Sequence, residues 1–443
     1  MAKPFANVIS RRIKIWSEDA ERAQEFWFQN LIAAGRKTAF GKDHGFNEIA
    51  SYEDFVKKVP LRDYEDFIPY IERLKNGEEN ILWKGKPIYF AKSSGTTAGV
   101  KYIPITKDSI SNHIESARNA LLMYIAETGK TDFVNGKMIF LSGSPELEKI
   151  NGILVGRLSG IVNHHVPRYL KGNQLPSFQT NCIENWETKI EKIVEETMKE
   201  DMSLISGIPP WMQMYFEKLL AKTGKQTIKE IFPNFSLLVY GGVNFEPYRA
   251  KLFSTIGEKI DSIETYPASE GFIAFQDSQK EEGMLLNVDS GIFFEFVPAN
   301  EIFSDHPKRL LLHHVEVGVN YALVLSSNAG LWSYVIGDTI RFVSKQPYRI
   351  VVTGRTKHFI SAFGEHVIQE EVEQALMKAA HEENLEVIEF TVAPQVNPPD
   401  TELPYHEWFV EFDSAPDNLN SLRMKADHNL REKNIYYNDL ISG

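Results

Sequence analysis

Cysteine is almost missing from these 443 residues. Cys182 stands alone, so no intrachain disulfide can form and a reducing compartment, the cytoplasm, suits the chain. Cys182 lies in an ordinary amphipathic stretch and reads as a small, inert, buried group. Long apolar runs are missing too: no window holds the roughly 18 apolar residues a spanning helix requires. The amino terminus, MAKPFANVISRRIKIWSEDAERAQEFW, has neither an apolar core nor a small-residue cleavage site, which excludes a secretory leader. Basic residues are outnumbered, 48 against 60 acidic, for a formal net charge of −12. A surface acidic on average argues against nucleic acid or an anionic membrane as partner, while leaving room for a local basic pocket. Metal-ligand spacings such as HExxH or CxxC are absent. The pairs His164–His165 and His313–His314 put neighbouring side chains on opposite faces of a strand, which suits packing or surface roles. Neither a Ser-His-Asp nor a Cys-His signature is present, and there is no internal repeat or low-complexity tract.

What remains is a chain long enough for two or three domains, with 43% hydrophobic residues to fill their cores. Residues 1–80 read mostly helical. IYFAK and VKYIPIT read as two strands around a polar loop. The stripe Ile110, Ile114, Ala117, Leu121 and Ile125 predicts a helix, with Asp108 or Ser109 as its N-cap. From 186 to 266 helical and strand patterns alternate, which predicts βαβ units and a parallel sheet. After 283 the runs turn strand-rich: MLLNV, IFFEFV, RLLLHHV, YALVLSS, TIRFV and YRIVVT. A smaller α+β unit begins near 354, with strands HFISAF, EVIEFTVA and EWFVEF, a helix on Ile368–Ala379 and a last helix on Leu419–Leu430. The expected class is α/β: a large domain of mixed β-sheets flanked by helices over residues 1–353, and a small C-terminal α+β domain over 354–443.

Between the first two strands lies SSGTTAGVK, residues 93–101. Backbone amides in such a turn can converge on one anion, and hydroxyls add short donors. A Walker loop fails on spacing: Gly95 and Gly99 have only three residues between them, Val100 separates Gly99 from Lys101, and Tyr102 replaces the hydroxyl. Walker loops and dinucleotide fingerprints also open a helix, whereas a strand follows here. Ser, Thr and Gly are also ordinary turn residues, so a plain hairpin loop stays open on this stretch alone.

Three further stretches stand downstream in order. TYPASEG, with Tyr266, Ser269 and Glu270, follows a predicted strand. YVIGDTIRF carries Tyr334, Gly337 and Asp338 in a glycine turn. GRTKHFISAFGEHVIQEEVEQAL carries Gly354, Arg355, Lys357, Gly364 and Glu365. Together with SSGTTAGVK they resemble the acyl-adenylate-forming, firefly luciferase-like superfamily. SEG in place of TE, GGVNFEP with Gly242, GIPPW at 207–211, and HEWFVEF followed by LREKNIYYNDL resemble its auxin-responsive-promoter family of acyl-acid amido synthetases. The likeness covers about residues 50–443.

That resemblance implies an ATP- and Mg²⁺-dependent ligase that converts a carboxylic acid to acyl-AMP and passes the acyl group to an amino acid amine. It implies that Ser93, Ser94, Gly95, Thr96, Thr97, Gly99 and Lys101 hold phosphate, and that Tyr266 lies near adenine. Ser269 would face the α-phosphate, Glu270 would bind Mg²⁺, and Asp338, beside Tyr334, would hold the ribose. Arg355 would contact the nucleotide and Lys357 would be the hinge of a swinging C-terminal domain. Leu154, Leu158, Ile161 and Trp211 fall where an acyl pocket is expected. The chemistry suits these types: two anionic reactants must be gathered by donors, cations and one hard carboxylate beside phosphate oxygens. The chain ends at YYNDLISG, where the family continues through a strand-and-helix segment bearing a lysine, so the small domain is expected to be truncated. An acyl-CoA ligase shares the same motifs, and a nucleotide-binding protein without turnover is the alternative from another class.

Overall fold

The computed structural model describes residues 2–442 except 97–98, 167–170, 244, 357–358, 361–362, 364, 366, 386, 397, 399–403 and 413. Five helices fill the first 75 residues: Ala2–Glu18, Ala20–Gly35, Ala39–Asp43, Tyr52–Lys58 and Tyr64–Lys75. The last two begin on capping boxes, Ser51 with Asp54 and Asp63 with Asp66, which satisfy the first amides of each helix.

The strands that follow are β1 (Tyr89–Thr96), β2 (Gly99–Ile105), β3 (Lys137–Phe140), β4 (Glu148–Ile150), β5 (Ile153–Arg157), β6 (Gln174–Leu175), β7 (Met202–Gly207), β8 (Leu237–Gly241), β9 (Asp261–Ala268) and β10 (Gly271–Phe275). Then come β11 (Met284–Leu286), β12 (Ile292–Pro298), β13 (Asn320–Ser327), β14 (Tyr334–Lys345) and β15 (Tyr348–Arg355). β1 and β2 form an antiparallel hairpin at the edge of a small sheet of order β2-β1-β5-β4. The main sheet has order β12-β13-β14-β15-β11-β10-β9-β8-β7-β3-β6. Its β6-β3-β7-β8-β9 half is parallel, the half expected from helix–strand alternation.

Burial explains that half. Alternate residues of a strand face opposite sides of a sheet, and here both sides are covered. Leu204, Leu237 and Ile263 meet Ile125 of the helix Ile110–Thr128 and Ile9 and Ile13 of the first helix. Ile205 and Leu238, one residue on, meet Met212, Phe216 and Leu252 of the crossover helices. The helix Pro209–Thr223 starts on Pro209–Pro210, whose missing amides cost nothing there, and stops at Gly224 with φ +68°. The antiparallel half packs on the N-terminal helices through Phe40, Phe46, Phe55, Phe67 and Trp332. Beneath it Arg309 and Glu295 form a buried ion pair at 2.7 Å, with Tyr52 and Ser333 supplying the remaining hydrogen bonds.

After Arg355 the chain leaves the main sheet. β16 (Phe359–Ile360) and β17 (Val367–Ile368) pair, as do β18 (Val387–Gln395) and β19 (Tyr405–Phe412). Helices Gln369–Glu382 and Leu419–Lys433 lie beside them, and Val372, Ala375, Leu430 and Tyr437 make a core with Phe390 and Trp408. A further helix, Ile435–Ser442, ends the chain, and its Asp439 pairs with Arg157 at the end of β5.

Three local expectations are corrected. RLLLHHV is not a strand: it contributes one bridge, Phe296 to Leu310, and then a 3-10 turn at Leu312–His314, because Leu312 and Val315 must turn inward. Asp338 is not in a turn but inside β14, where Gly337 at φ +93° opens a bulge. Ser109 occupies the N-cap position of its helix yet does not cap it with its side chain; its hydroxyl accepts from the Thr106 amide instead.

Candidate functional site

The site is assembled from the carboxyl end of the parallel strands and from the β1–β2 hairpin. Ligands bind outside the carboxyl ends of strands in open α/β sheets, because the loops there are free to vary. At the end of β8, Gly241 presses on β9 so closely that a Cβ would sit 2.1 Å from the Thr265 carbonyl oxygen. Gly242 follows at φ +84°, a left-handed backbone that favours glycine. β9 runs to Ala268, which pairs with Gly271 of β10, so Ser269 and Glu270 form the two-residue tip of a hairpin.

Glu270 is buried at that tip. Burial raises its pKa, against the pull of Lys101, its own backbone amide and Arg355, and with a push from Asp338. Tyr334, fully buried, faces the Glu270 carboxylate but makes no hydrogen bond of normal geometry, and burial raises its pKa far above that of a free phenol. Across the sheet, Tyr266 donates its hydroxyl to Asp338 Oδ2 at 2.5 Å, which ties β9 to β14 over the three intervening strands β10, β11 and β15. Arg355, directly opposite Asp338 in the β14–β15 ladder, places Nε 3.0 Å from Asp338 Oδ1.

The hairpin meets this group through Lys101. Ser93 stands opposite Lys101, and Thr96 opposite Gly99, whose φ of +94° makes the tight return. β1 continues through Ser94, Gly95 and Thr96, so the polar stretch is largely strand rather than loop. Thr97 and Lys357 lie outside the described residues. Desolvation lowers the Lys101 pKa and Arg355 lowers it further, whereas Glu270, Asp63 and Asp338 raise it. Glu270 on the β9–β10 turn, Asp338 on β14, Arg355 on β15 and Asp63 before the helix Tyr64–Lys75 thus all act on Lys101 electrostatically.

The other candidates fall outside that group. Leu154, Leu158 and Ile161 pack into the core shared with the N-terminal helices. Trp211 packs on Trp186 with ring centroids 4.5 Å apart. The histidine pairs are occupied: His164 bonds the Pro145 carbonyl, His165 bonds the Tyr89 hydroxyl, and His313 and His314 lie against each other. Cys182 is free, and burial raises its pKa.

Two contacts escaped the sequence reading. Asp63 and Tyr64 fall in the stretch read only as mostly helical, yet Tyr64 accepts a hydrogen bond from the Tyr102 amide at 2.8 Å and its ring centroid lies 5.8 Å from Lys101 Nζ. Glu365, fully buried in the C-terminal region, accepts from His406 Nε2 at 2.8 Å, and His406 stacks on Tyr437. Only the D-x-x-D cap was visible for the first, and no local pattern links residues 365 and 406.

This architecture is that of the adenylate-forming enzymes. It matches the solved "AtGH3.15 acyl acid amido synthetase in complex with 2,4-DB" with a TM-score of 0.68 at 15% identity, over 97% of this chain and 86% of that one. A 2-hydroxyisobutyryl-CoA ligase solved with its acyl-AMP and CoA matches at a TM-score of 0.50 and 14% identity, over 93% of this chain and 85% of the other. The GH3 family N-terminal domain matches residues 10–176 and 158–260, its central domain 285–355 and its C-terminal domain 370–442. The chain belongs to the GH3 family. Among its relatives are the jasmonoyl–L-amino acid synthetase JAR4 of Nicotiana attenuata, 23% identical over 86% of this chain and 78% of the relative. Another is the indole-3-acetic acid-amido synthetase GH3.3 of Arabidopsis thaliana, 22% identical over 86% of this chain and 75% of the relative.

Proposed function

We propose that the chain is an ATP-dependent acyl-acid amido synthetase that joins a small carboxylic acid to an amino acid through an acyl-adenylate. The electrostatic coupling of Lys101 on the β1–β2 hairpin with Glu270 on the β9–β10 turn and the Asp338–Arg355 pair of β14 and β15 carries this reading, and family membership supports it. In the first step a carboxylate oxygen attacks the α-phosphorus of ATP, and the bond to pyrophosphate breaks with its electron pair leaving on pyrophosphate. In the second an amine nitrogen attacks the activated carbonyl, the bond to AMP breaks, and the amine's proton is given up to solvent or a base.

Each residue has a task that its surroundings fit. The amides and hydroxyls of Ser93–Thr97 and Gly99 hold phosphate oxygens, and Lys101 supplies positive charge that desolvation makes more effective. Asp338 keeps two acceptor positions for vicinal ribose hydroxyls beyond those used by Tyr266 and Arg355. Gly242, in a left-handed turn at the end of β8, lies beside the nucleotide, and Ser269 donates to the α-phosphate. Among the described residues no group of three or more metal-ligating side chains comes together. The donor set suits Mg²⁺ that takes Glu270 as its protein ligand and phosphate oxygens for the rest. The burial that disfavours a bare Glu270 anion also favours a cation beside it. When bound, Mg²⁺ neutralises charge on the polyphosphate. Residues 354–443 form the small domain, Lys357 serves as its hinge, and ATP lies between it and residues 1–353. Among the described residues no helix is long and apolar enough to cross a membrane, and a cytoplasmic location suits the single cysteine.

The test is acid-dependent ATP–pyrophosphate exchange across aromatic and aliphatic carboxylic acids, followed by product analysis with amino acids or CoA as acceptor. Exchange with one acid class and amide product is expected. Thioester product would favour an acyl-CoA ligase, and ATP binding with background exchange for every acid would favour a binder without turnover.

A further inference from the structure

The segment Arg62–Tyr64 lies between the phosphate hairpin and the nucleotide strands, and nothing in the established chemistry gives it a task. Its backbone is clamped. The Arg62 amide donates to the Ser333 carbonyl at 3.0 Å and the Arg62 carbonyl accepts from the Val335 amide at 2.8 Å, a bridge that fixes the segment beside Tyr334. From this anchor the helix Tyr64–Lys75 runs along β2, the outer strand of its sheet. An outer strand presents unpaired amides. The Tyr102 amide is one of these, and the buried Tyr64 hydroxyl accepts from it at 2.8 Å. At the other end of the helix Lys75 Nζ lies 4.6 Å from the Tyr102 ring centroid. β2 is thus pinned on both sides of the residue that follows Lys101.

Lys101 itself faces the same segment. Its ammonium lies 5.8 Å from the Tyr64 ring centroid, inside the range of a cation–π contact, and the Asp63 carboxylate acts on it electrostatically. Asp63 has a second duty as the N-cap of the helix, accepting from the Glu65 amide at 3.0 Å, so its carboxylate cannot wander. We infer that Tyr64 is a positioning residue for the adenylation step: it fixes the register of β2 and the direction of the Lys101 side chain, and Asp63 serves it as the N-cap of the helix that carries it. The inference rests on the proposed function. It adds that the amino-terminal helical segment, not the hairpin alone, aims the lysine at the polyphosphate.

The charged and titratable groups that face Lys101 come from four elements: Glu270 on the β9–β10 turn, Asp338 on β14, Arg355 on β15, and Asp63 before the helix.

The experiment uses the full chain with Tyr64→Phe, Tyr64→Leu and Lys101→Met, and the double variant Tyr64→Leu/Lys101→Met. Two readouts are taken: pyrophosphate exchange over pH without acceptor amine, and ATP affinity by calorimetry. Expected is a smaller loss for Tyr64→Phe than for Tyr64→Leu. The last should weaken ATP binding about tenfold and cost little once Lys101 is gone. A Tyr64→Leu loss no greater than that of Tyr64→Phe, or one that persists undiminished on the Lys101→Met background, overturns the inference. If wild type shows no exchange with any acid the proposed function fails, and calorimetry on the same variants still decides the positioning role.

Discussion

Asp338→Asn changes one atom's charge at the point where β9, β14 and β15 are tied together. Asp338 Oδ2 already accepts from Tyr266 at 2.5 Å, and Oδ1 lies 3.0 Å from Arg355 Nε. A carboxylate offers about four lone-pair positions, so two remain for the ribose. In the amide, one oxygen can still serve Tyr266, but the NH₂ group meets Arg355 or a ribose hydroxyl with no lone pair. Hydrogen bonds to a charged group contribute about 1.5–3 kcal/mol and neutral ones about 0.5–1.5 kcal/mol. Losing the charged character of two ribose bonds should therefore cost about 2–3 kcal/mol, or a rise of roughly 30- to 150-fold in KM for ATP. The side chains of Asp338 and Arg355 are 16% and 27% exposed, so solvent screening does not erase the effect. The assay is acid-dependent pyrophosphate exchange at varied ATP, repeated with 2′-deoxy-ATP. Wild type should discriminate between the two nucleotides and the variant should not. An unchanged KM, or equal discrimination by both proteins, refutes the ribose assignment.

Glu270→Gln should raise the thermal midpoint of the nucleotide-free protein while abolishing Mg²⁺-dependent exchange. Burial raises the folded-state pKa of Glu270, so its contribution to stability is intact below the usual carboxylate range and is lost as pH rises through the raised value. The gain of the variant should accordingly be absent at low pH, grow toward neutrality, and reverse with Mg·ATP; wild-type exchange rates would refute the metal role. Gly241→Ala places a methyl 2.1 Å from the Thr265 carbonyl oxygen, so β8 and β9 must separate. A loss of about 1–3 kcal/mol in urea unfolding, with a raised KM for ATP, is expected, and an unchanged midpoint would show that the two strands are not in the close contact described.

Where local physics speaks, the sequence already settles the outcome. The apolar alternation of Leu204–Ile205 and Leu237–Leu238 demands a sheet covered on both faces, and the helix starts at Ser51, Asp63 and Pro209 are written in their caps. Ser, Thr and Gly around Lys101, a carboxylate at 270, and Gly-Asp at 337–338 fix which functional groups are available. Tertiary structure decides which of them meet. Asp338 lies in a bulged strand because β14 must pass Arg355 on β15, and Lys101 finds Asp63 and Tyr64 because a helix is needed to cover the outer edge of β2. Likewise Glu365 and His406 are joined by packing alone, across 41 residues of chain. Side-chain chemistry is a property of each residue, whereas desolvation and electrostatic coupling arise only when distant segments close on one another.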